Sequence, residues 1–168
     1  MFALPDHYID QLETPCVVID ERVARENIAR MQRKVEEAHC KLRPHIKTHK
    51  MPYFAKLQLE AGASGICSCK ISEAEVMADA GIDDIFLAYP LVGKPKILRA
   101  ILLSQKIKRL ILAVDSIEQA AALNEAAQKA GVVLEVRMEV DTGAKRTGVT
   151  ASDRIALAKA PQTMDHLK

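Results

Sequence analysis

Short apolar runs alternate with longer amphipathic stretches along most of the chain, at intervals of roughly 20–25 residues. The short runs are rich in β-branched residues and predict strands, whereas the longer stretches have apolar residues at helical spacing and predict helices. The predicted strands cover residues 15–20, 41–47, 64–69, 84–88, 110–114 and 132–140. The predicted helices cover residues 21–38, 52–62, 72–81, 95–104, 116–131 and 151–160, and a polar tail follows.

Proline and serine mark several of the predicted helix starts. Pro52 suits the first position of a helix, where its missing N–H group is not needed. Ser72 with Glu75, and Ser116 with Gln119, have the spacing of a capping box, in which two side chains satisfy free backbone N–H groups. These boundaries support the alternation of strands and helices.

This alternation predicts the fold class. Apolar strands that alternate with helices favour an α/β fold with a parallel sheet covered by helices. The short repeat and the lack of a Gly-x-Gly-x-x-Gly sequence favour units of a (β/α)8 TIM-type barrel over a dinucleotide-binding fold. A complete barrel needs about 250 residues and eight strands, whereas this chain has 168 residues. We therefore expect a partial barrel, as part of a longer protein.

Composition narrows the class of protein. The chain is 49% hydrophobic and 27% charged, which is normal for a globular protein. We expect a cytoplasmic protein, because no apolar run approaches the length of a membrane helix and the start of the chain lacks the regions of a signal peptide. A net charge of only +2 argues against a nucleic-acid partner.

The basic stretch from Arg43 to Lys50 carries the first candidate chemistry. In a strand, Arg43, His45 and Lys47 share one face, and His49 joins them if the extended path continues. Positive neighbours disfavour a protonated amine, so the cluster predicts a nucleophilic lysine of the kind that forms Schiff bases. The alternative is a site for phosphate or nucleic acid, which the low net charge makes less attractive.

Other stretches at predicted strand ends offer further candidates. Arg146, in the loop after strand 132–140, offers a planar fork for a carboxylate or another anionic oxygen, and its alternative is a solvated arginine in an ordinary turn. Tyr89 either faces a pocket or packs against its neighbours. Cys67 and Cys69 share a strand face and are either soft-metal ligands or buried thiols, with thiols favoured because no further ligand has suitable spacing.

Two motifs give these candidates a shared context. The sequence Arg43-Pro-His-Ile-Lys-Thr-His-Lys50 resembles the pyridoxal-phosphate lysine motif of the D-threonine aldolase and D-serine dehydratase family, whose members have an alanine racemase-type barrel. The segment from Asp141 to Gly148 is similar to the Asp-x-Gly-x-x-Arg-x-Gly element of that family. The likeness covers most of the chain but only the amino-terminal portion of such a fold-type III enzyme.

The resemblance implies roles for individual residues. Lys47 would bind pyridoxal 5'-phosphate covalently, and Arg146, His45 and Arg43 would contribute to the cofactor site. The remaining pocket candidates are His49, Tyr89 and Thr142.

The resemblance also implies an activity. The expected enzyme is a lyase acting on D-3-hydroxy amino acids, either an aldolase that yields glycine and an aldehyde or a D-serine dehydratase-type ammonia-lyase. Its divalent metal, Mn or Zn, would be held by carboxy-terminal residues that this chain does not match, and His166 reads as a solvated tail residue. We expect a small D-amino acid as substrate, no nucleic-acid or membrane partner, and a homodimer in the full-length protein.

The expected domain organisation has two parts, and two other functions remain open. Residues 1–20 would give a strand to a second, β-rich domain, and residues 21–168 would form the incomplete barrel. One alternative is an amino acid racemase, although its typical Lys-Ala-Asn-Ala-Tyr-Gly differs from the sequence that begins here at Lys47. The other is a non-catalytic, cofactor-binding remnant, favoured by the absence of a late phosphate-binding loop and by an open sheet edge.

Overall fold

The computed structural model describes residues 10–150 and 152–168 and divides into two compact units. The first unit extends to Cys40 and contains helix α1, Glu21–Glu37. Asp20 caps this helix, because its Oδ1 accepts a hydrogen bond from the backbone N–H of Val23 at 3.1 Å. Within the described residues the strand predicted at 15–20 is not formed. Residues 1–9 of the predicted amino-terminal part, and the first residue of the helix predicted at 151–160, lie outside the described residues.

The second unit, Lys41–Lys168, alternates strands with helices as expected. Its strands are β1 (Ile66–Ser68), β2 (Asp84–Leu87), β3 (Arg109–Val114) and β4 (Glu135–Met138). Its helices are α2 (Pro52–Glu60), α3 (Ile71–Asp79), α4 (Lys94–Lys106), α5 (Ile117–Ala130) and α6 (Arg154–Lys159), with short 3-10 turns at Ile46–Thr48 and Ala160–Thr163. None of the helices in the described ranges is long and apolar enough to cross a membrane.

The four strands form one parallel sheet in the order β1-β2-β3-β4. Neighbours in sequence are neighbours in the sheet, without the reversal that defines a doubly wound fold, so the order is that of a barrel. Alternate strand residues such as Ile85 and Leu112 join the helices in one hydrophobic core. The predicted α/β, partial-barrel class is therefore confirmed.

The strand predicted at 41–47 is largely absent. The carbonyl of Pro44 accepts a hydrogen bond from the N–H of Cys67 at 2.7 Å, and His45 forms a single parallel bridge with Cys67. The chain then enters the 3-10 turn at Ile46. Proline has no N–H group to give to a ladder, and the turn ends the extended path, so the pairing stops at one bridge.

The end of the chain also differs from the predicted polar tail. Leu167 is buried and forms a parallel bridge with Leu134, next to β4. The backbone carbonyl of His166 accepts a hydrogen bond from the N–H of Leu134 at 2.9 Å, and its Nδ1 lies 2.9 Å from the carbonyl oxygen of Val132. The expectation of a solvated His166 is therefore wrong, because residues 166–168 form backbone hydrogen bonds along the edge of the sheet at β4.

One of the two predicted capping boxes forms in part, because Gln119 bonds the residue before the N-cap and not the N-cap itself. Ser116 Oγ accepts a hydrogen bond from the backbone N–H of Gln119 at 3.2 Å, and Gln119 Oε1 accepts one from Asp115, so α5 begins as expected. Helix α3 instead begins at Ile71, one residue before Ser72, and its N-cap residue has no side-chain cap. The predicted box there is wrong, because the carboxylate of Glu73, not that of Glu75, accepts a hydrogen bond from the backbone before the helix, at the N–H of Cys69.

Candidate active site

Lys47 lies in the 3-10 turn that follows the segment paired with β1. Because this segment runs parallel to β1, the turn lies at the carboxyl end of the sheet, where barrel enzymes assemble their sites. Ile46 is fully buried and anchors the turn, whereas the Lys47 side chain is exposed. Within the described part of the chain Lys47 Nζ makes no hydrogen bond or ion pair, so its amine is available to a ligand.

His45 fixes the start of this turn. Its Nδ1 accepts a hydrogen bond from the backbone N–H of Lys47 at 3.2 Å, so the proton of the neutral ring lies on Nε2. Burial and the Lys47 ammonium lower the pKa of His45, while the Glu73 carboxylate acts in the opposite direction. A largely neutral imidazole in this position can exchange a proton near neutral pH.

His49 does not continue the face of Lys47, because the chain turns at Ile46. Its Nδ1 accepts a hydrogen bond from the backbone N–H of Met51 at 3.0 Å, and its ring lies edge-on to Phe54 with 5.9 Å between centroids. Burial lowers the pKa of His49, and the Gln58 side chain opposes this effect. These contacts give His49 a structural place at the start of α2.

Arg43 lies towards the amino-terminal end of the sheet. Its Nη1 donates to Asp84 Oδ1 at 2.8 Å, and Asp84 is the first residue of β2. Gly65 makes room for this side chain, since a Cβ atom there would lie 2.1 Å from Arg43 Nη1. This position gives no support to the expectation that Arg43 binds the cofactor.

A buried carboxylate lies at the carboxyl end of β1. Glu73, in the first turn of α3, is only 9% exposed, and its Oε2 accepts hydrogen bonds from the backbone N–H and the thiol of Cys69 at 3.1 and 3.2 Å. Its Oε1 lies 3.4 Å from Lys50 Nζ. Burial raises the pKa of Glu73, but the bonds from Cys69 and the Lys50 ammonium outweigh it, so the pKa lies below its usual value.

Tyr89 follows β2 and lines a cleft of about 560 Å³ next to the carboxyl ends of β1 and β2. Cys69 lines the same cleft, together with Lys70 and Lys96. Sequence reasoning treated Cys69 only as a thiol or a soft-metal ligand and missed its place in a cleft. No group of three or more His, Cys, Asp or Glu side chains suited to a metal ion occurs among residues 10–150 and 152–168.

Arg146 is presented by the loop of residues 141–148, which follows β4 at the carboxyl edge of the sheet. Val140 and Val149 form a parallel bridge that closes the base of this loop. The Arg146 side chain is exposed and makes no hydrogen bond or ion pair within the described residues. Its guanidinium is therefore available to an anionic group.

The loop explains the spacing of its motif. Asp141 Oδ1 accepts hydrogen bonds from the backbone N–H groups of Gly143 at 2.8 Å and Lys145 at 3.1 Å, and these bonds lower the pKa of Asp141. Gly148 has φ of +100°, and a Cβ atom there would lie 2.5 Å from the backbone nitrogen of Asp141. Thr142 is exposed on the same loop.

Two acids that sequence reasoning missed tie this loop to the sheet. Asp115, just after β3, accepts a hydrogen bond from the backbone N–H of Gly148 at 3.2 Å. Glu139, just after β4, accepts one from the hydroxyl of Thr147 at 2.6 Å. The only sequence signal was the position of each acid immediately after a strand, which does not identify its partner.

Comparison with known proteins identifies the class. The sheet and its helices match part of the TIM-type barrel of fold-type III enzymes. The family model for the alanine racemase N-terminal domain matches residues 19–168, and the chain belongs to this family. The resemblance drawn from the two motifs is thereby confirmed.

Individual relatives are similar over nearly the whole chain. D-threonine aldolase of an Arthrobacter species is 36% identical over 165 residues, which cover 97% of this chain and 42% of the relative. D-threo-3-hydroxyaspartate dehydratase of Delftia sp. strain HT23 is 37% identical over 153 residues, covering 91% of this chain and 40% of the relative.

A solved structure supports the same relationship. The crystal structure of D-threonine aldolase from Filomicrobium marinum is 34% identical, with a TM-score of 0.89, over 93% of this chain and 42% of that protein. This chain thus spans well under half the length of the relatives that it matches.

Proposed function

We propose that the protein acts as a pyridoxal-phosphate-dependent lyase on D-3-hydroxy amino acids. The observation that carries this proposal is the free amine of Lys47, held in a fixed turn at the carboxyl edge of an alanine racemase-type sheet. The relatives named as an aldolase and a dehydratase of D-3-hydroxy amino acids support the substrate class. Because the chain spans less than half of each relative, the activity belongs to the protein of which this sheet is a part.

The described residues fit pyridoxal phosphate. An aldehyde needs an amine without a competing partner, and the Lys47 amine meets this condition. An anionic cofactor needs a cation that is not already paired with a protein group, and within the described residues the Arg146 guanidinium is unpaired. When bound, the cofactor accepts the electron pair left by a broken bond at the substrate α-carbon.

The roles of the chain's residues follow from their positions. Lys47 would hold the cofactor aldehyde through its amine, and Arg146 would orient an anionic oxygen of the cofactor or the substrate. His45 Nε2 exchanges a proton near the Lys47 amine, since its Nδ1 is already used by the backbone. Tyr89 and Thr142 border the edge where the substrate would lie.

The first reaction that we propose is aldol cleavage of a D-3-hydroxy amino acid to glycine and an aldehyde. It requires removal of the proton from the 3-hydroxyl group of the substrate. A dehydratase, which releases the hydroxyl group and yields an oxo acid and ammonia, is the second candidate because a relative of that name is 37% identical. We also propose a divalent metal, Mn or Zn, held outside this chain, and a homodimer of the full-length protein.

Borohydride trapping tests the lysine assignment. The protein is incubated with pyridoxal phosphate, reduced with borohydride and digested, and the labelled peptide is identified by mass spectrometry. We expect the label on Lys47 and its loss in Lys47→Ala. Lys56→Ala, which removes an exposed lysine of α2, is the matched control and should keep the label. A label that persists elsewhere after Lys47→Ala would overturn the assignment.

Product analysis separates the two reactions. The full-length protein is given D-threonine, D-serine and D-3-hydroxyaspartate in turn, with and without a chelator. Glycine and an aldehyde as products indicate an aldolase, and ammonia with an oxo acid indicates a dehydratase. Activity that survives complete removal of divalent metals would contradict the proposed metal.

A further inference from the structure

The turn of Lys47 is fixed at both ends. At its start, His45 pairs with Cys67, and the backbone N–H of Lys47 donates to the His45 ring. At its end, the backbone N–H groups of His49 and Lys50 both donate to the carbonyl of Ile46, at 3.2 and 2.7 Å. The first anchor is part of the sheet, and the second closes the turn that carries Lys47.

The second anchor depends on Lys50, whose backbone is unusual. Lys50 has φ of +53°, a left-handed backbone conformation that residues other than glycine rarely adopt. Its Nζ lies 3.4 Å from Glu73 Oε1. Main-chain bonding to Ile46 and this side-chain pairing together offset the cost of the strained conformation.

Glu73 is placed to receive this lysine. The carboxylate is nearly buried, and its second oxygen is occupied by the N–H and S–H groups of Cys69, immediately after β1. One side chain thus joins the end of β1 to the end of the lysine turn. Capping the helix requires only the bond from the backbone N–H of Cys69. The contacts of Glu73 with the Cys69 thiol and with Lys50 go beyond that role.

We propose that Glu73 is a positioning residue for Lys47, holding the turn against β1 through Lys50 and Cys69. This inference rests on the proposed role of Lys47 in binding the cofactor. Among the described residues Glu73 contacts Cys69 and Lys50 but not the Lys47 amine, so it acts through its neighbours and is not a catalytic group.

The experiment compares two single variants and their combination. Glu73→Gln keeps the size of the side chain and an acceptor for Cys69 but removes the charge that holds Lys50. Lys50→Met removes the other partner and leaves the Cys69 bonds intact. The matched control is Glu75→Gln, two residues further along α3, where the carboxylate pairs with Arg99 and not with the lysine turn.

Two readouts do not require turnover. The first is the rate at which pyridoxal phosphate becomes trapped on Lys47 by borohydride. We expect each single variant to slow attachment on the order of fivefold, with the double variant no slower than either, because both remove the same ion pair. The second is hydrogen exchange at the His49 and Lys50 amides, which should be faster in both single variants.

Titration of His45 tests whether the charge of Glu73 acts at the start of the lysine turn. The groups that act on its ring are Lys47 and Glu73, together with the backbone of Cys67. Glu73→Gln removes a charge that raises the pKa of His45, so this pKa should fall further, and Glu75→Gln should leave it unchanged. A general loosening of the fold would change the pKa of His45 in both variants.

The outcomes separate this inference from the proposed function. If the parent protein does not attach the cofactor at Lys47, the proposed function fails, while amide exchange still decides whether Glu73 fixes the turn. Unchanged amide exchange in Glu73→Gln and Lys50→Met would overturn the positioning role, whatever the cofactor does. Additive effects in the double variant would also overturn it, because they would show that the two residues act separately.

Discussion

The backbone N–H of Gly148 donates to the carboxylate of Asp115 across 3.2 Å, and this bond ties the loop that carries Arg146 to the end of β3. The loop base is already closed by Val140 and Val149 next to β4. The Asp115 bond adds a second point of attachment from a neighbouring strand. Arg146 is therefore exposed on a loop that is anchored to two strands.

Loss of the Asp115 carboxylate should loosen this loop. Asp115→Ala removes the acceptor for Gly148, whereas Asp115→Asn keeps an oxygen in place. Trypsin cuts after lysine and arginine, so cleavage at Lys145 and Arg146 reports loop opening directly. We expect cleavage several-fold faster in Asp115→Ala and near the parent rate in Asp115→Asn.

Asp153→Ala supplies the control for this proteolysis. Asp153 accepts a hydrogen bond from the hydroxyl of Thr150 at 2.9 Å, just beyond the loop, and makes no contact with Gly148. Its removal should leave cleavage at Lys145 and Arg146 unchanged. Equal cleavage of Asp115→Ala and the parent protein would show that the bond to Gly148 contributes nothing to the loop.

Gly148 and Gly143 should differ in their tolerance of alanine. Both have positive φ, +100° and +120°, but a Cβ atom at Gly148 would lie 2.5 Å from the nitrogen of Asp141, whereas nothing lies within 4 Å at Gly143. Gly143→Ala should cost about 1 kcal/mol of unfolding free energy from backbone strain alone, and Gly148→Ala roughly 2–4 kcal/mol. Urea denaturation of both variants measures the difference, and equal costs would contradict the close approach.

The sequence predicted the elements whose signal is local. Strands β2 and β3 lie within one residue of their expected bounds, because compact apolar runs rich in isoleucine and leucine leave little choice. The lysine segment was predicted as a strand on the same grounds, but Pro44 and the turn at Ile46 limit it to one bridge. A single apolar residue, Leu167, was too weak a signal to reveal pairing beside β4.

The motif residues of the candidate site could be found from the sequence, but the residues that hold those motifs in place could not. Lys47 and Arg146 belong to sequences specific enough to find without a structure. Glu73 is separated from Lys50 by 23 positions, and Asp115 from Gly148 by 33, so no local pattern links the partners. Strand alternation also placed Arg43 beside Lys47, although its position two residues before the bridge directs it to the opposite end of the sheet.

Glu135 should make stability depend on pH. Hydrogen bonds from the Arg109 guanidinium at 2.7 and 2.8 Å lower the pKa of Glu135 from 4.5 to about 2, against the opposing effect of burial. A lowered pKa in the folded state stabilises the protein above the pKa of the unfolded chain. This contribution, about 3 kcal/mol, is lost as the pH falls from about 4.5 towards 2.

Urea unfolding at a series of acidic pH values measures this loss. Glu135→Gln should be less stable at neutral pH and should show a flatter decline below pH 4.5. Glu125→Gln, which removes the exposed partner of Lys129, is the control and should change stability little. If the free energy of unfolding falls equally with pH in Glu135→Gln and in the parent protein, other carboxylates cause the loss of stability in acid.

Cys69 should become more reactive when Glu73 loses its charge. Burial raises the pKa of the Cys69 thiol, and the hydrogen bond and charge of Glu73 raise it further, whereas Lys70 and Lys47 act to lower it. In Glu73→Gln the thiolate fraction at a given pH therefore rises, and alkylation by iodoacetamide should be faster near pH 8. In Lys70→Met the change has the opposite sign, so alkylation should slow.

Peptide mapping gives the rate at Cys69 alongside an internal reference in the same protein. Cys40 is exposed, and its thiol donates a hydrogen bond to the carbonyl oxygen of Ala38 at 3.4 Å, so its alkylation rate should be the same in every variant. Opposite shifts at Cys69 with a constant rate at Cys40 can only come from charges next to the thiol, because a looser fold would speed alkylation in both variants. If Glu73→Gln and Lys70→Met shift the rate in the same direction, access controls the thiol, and the carboxylate at the end of β1 does not set its charge state.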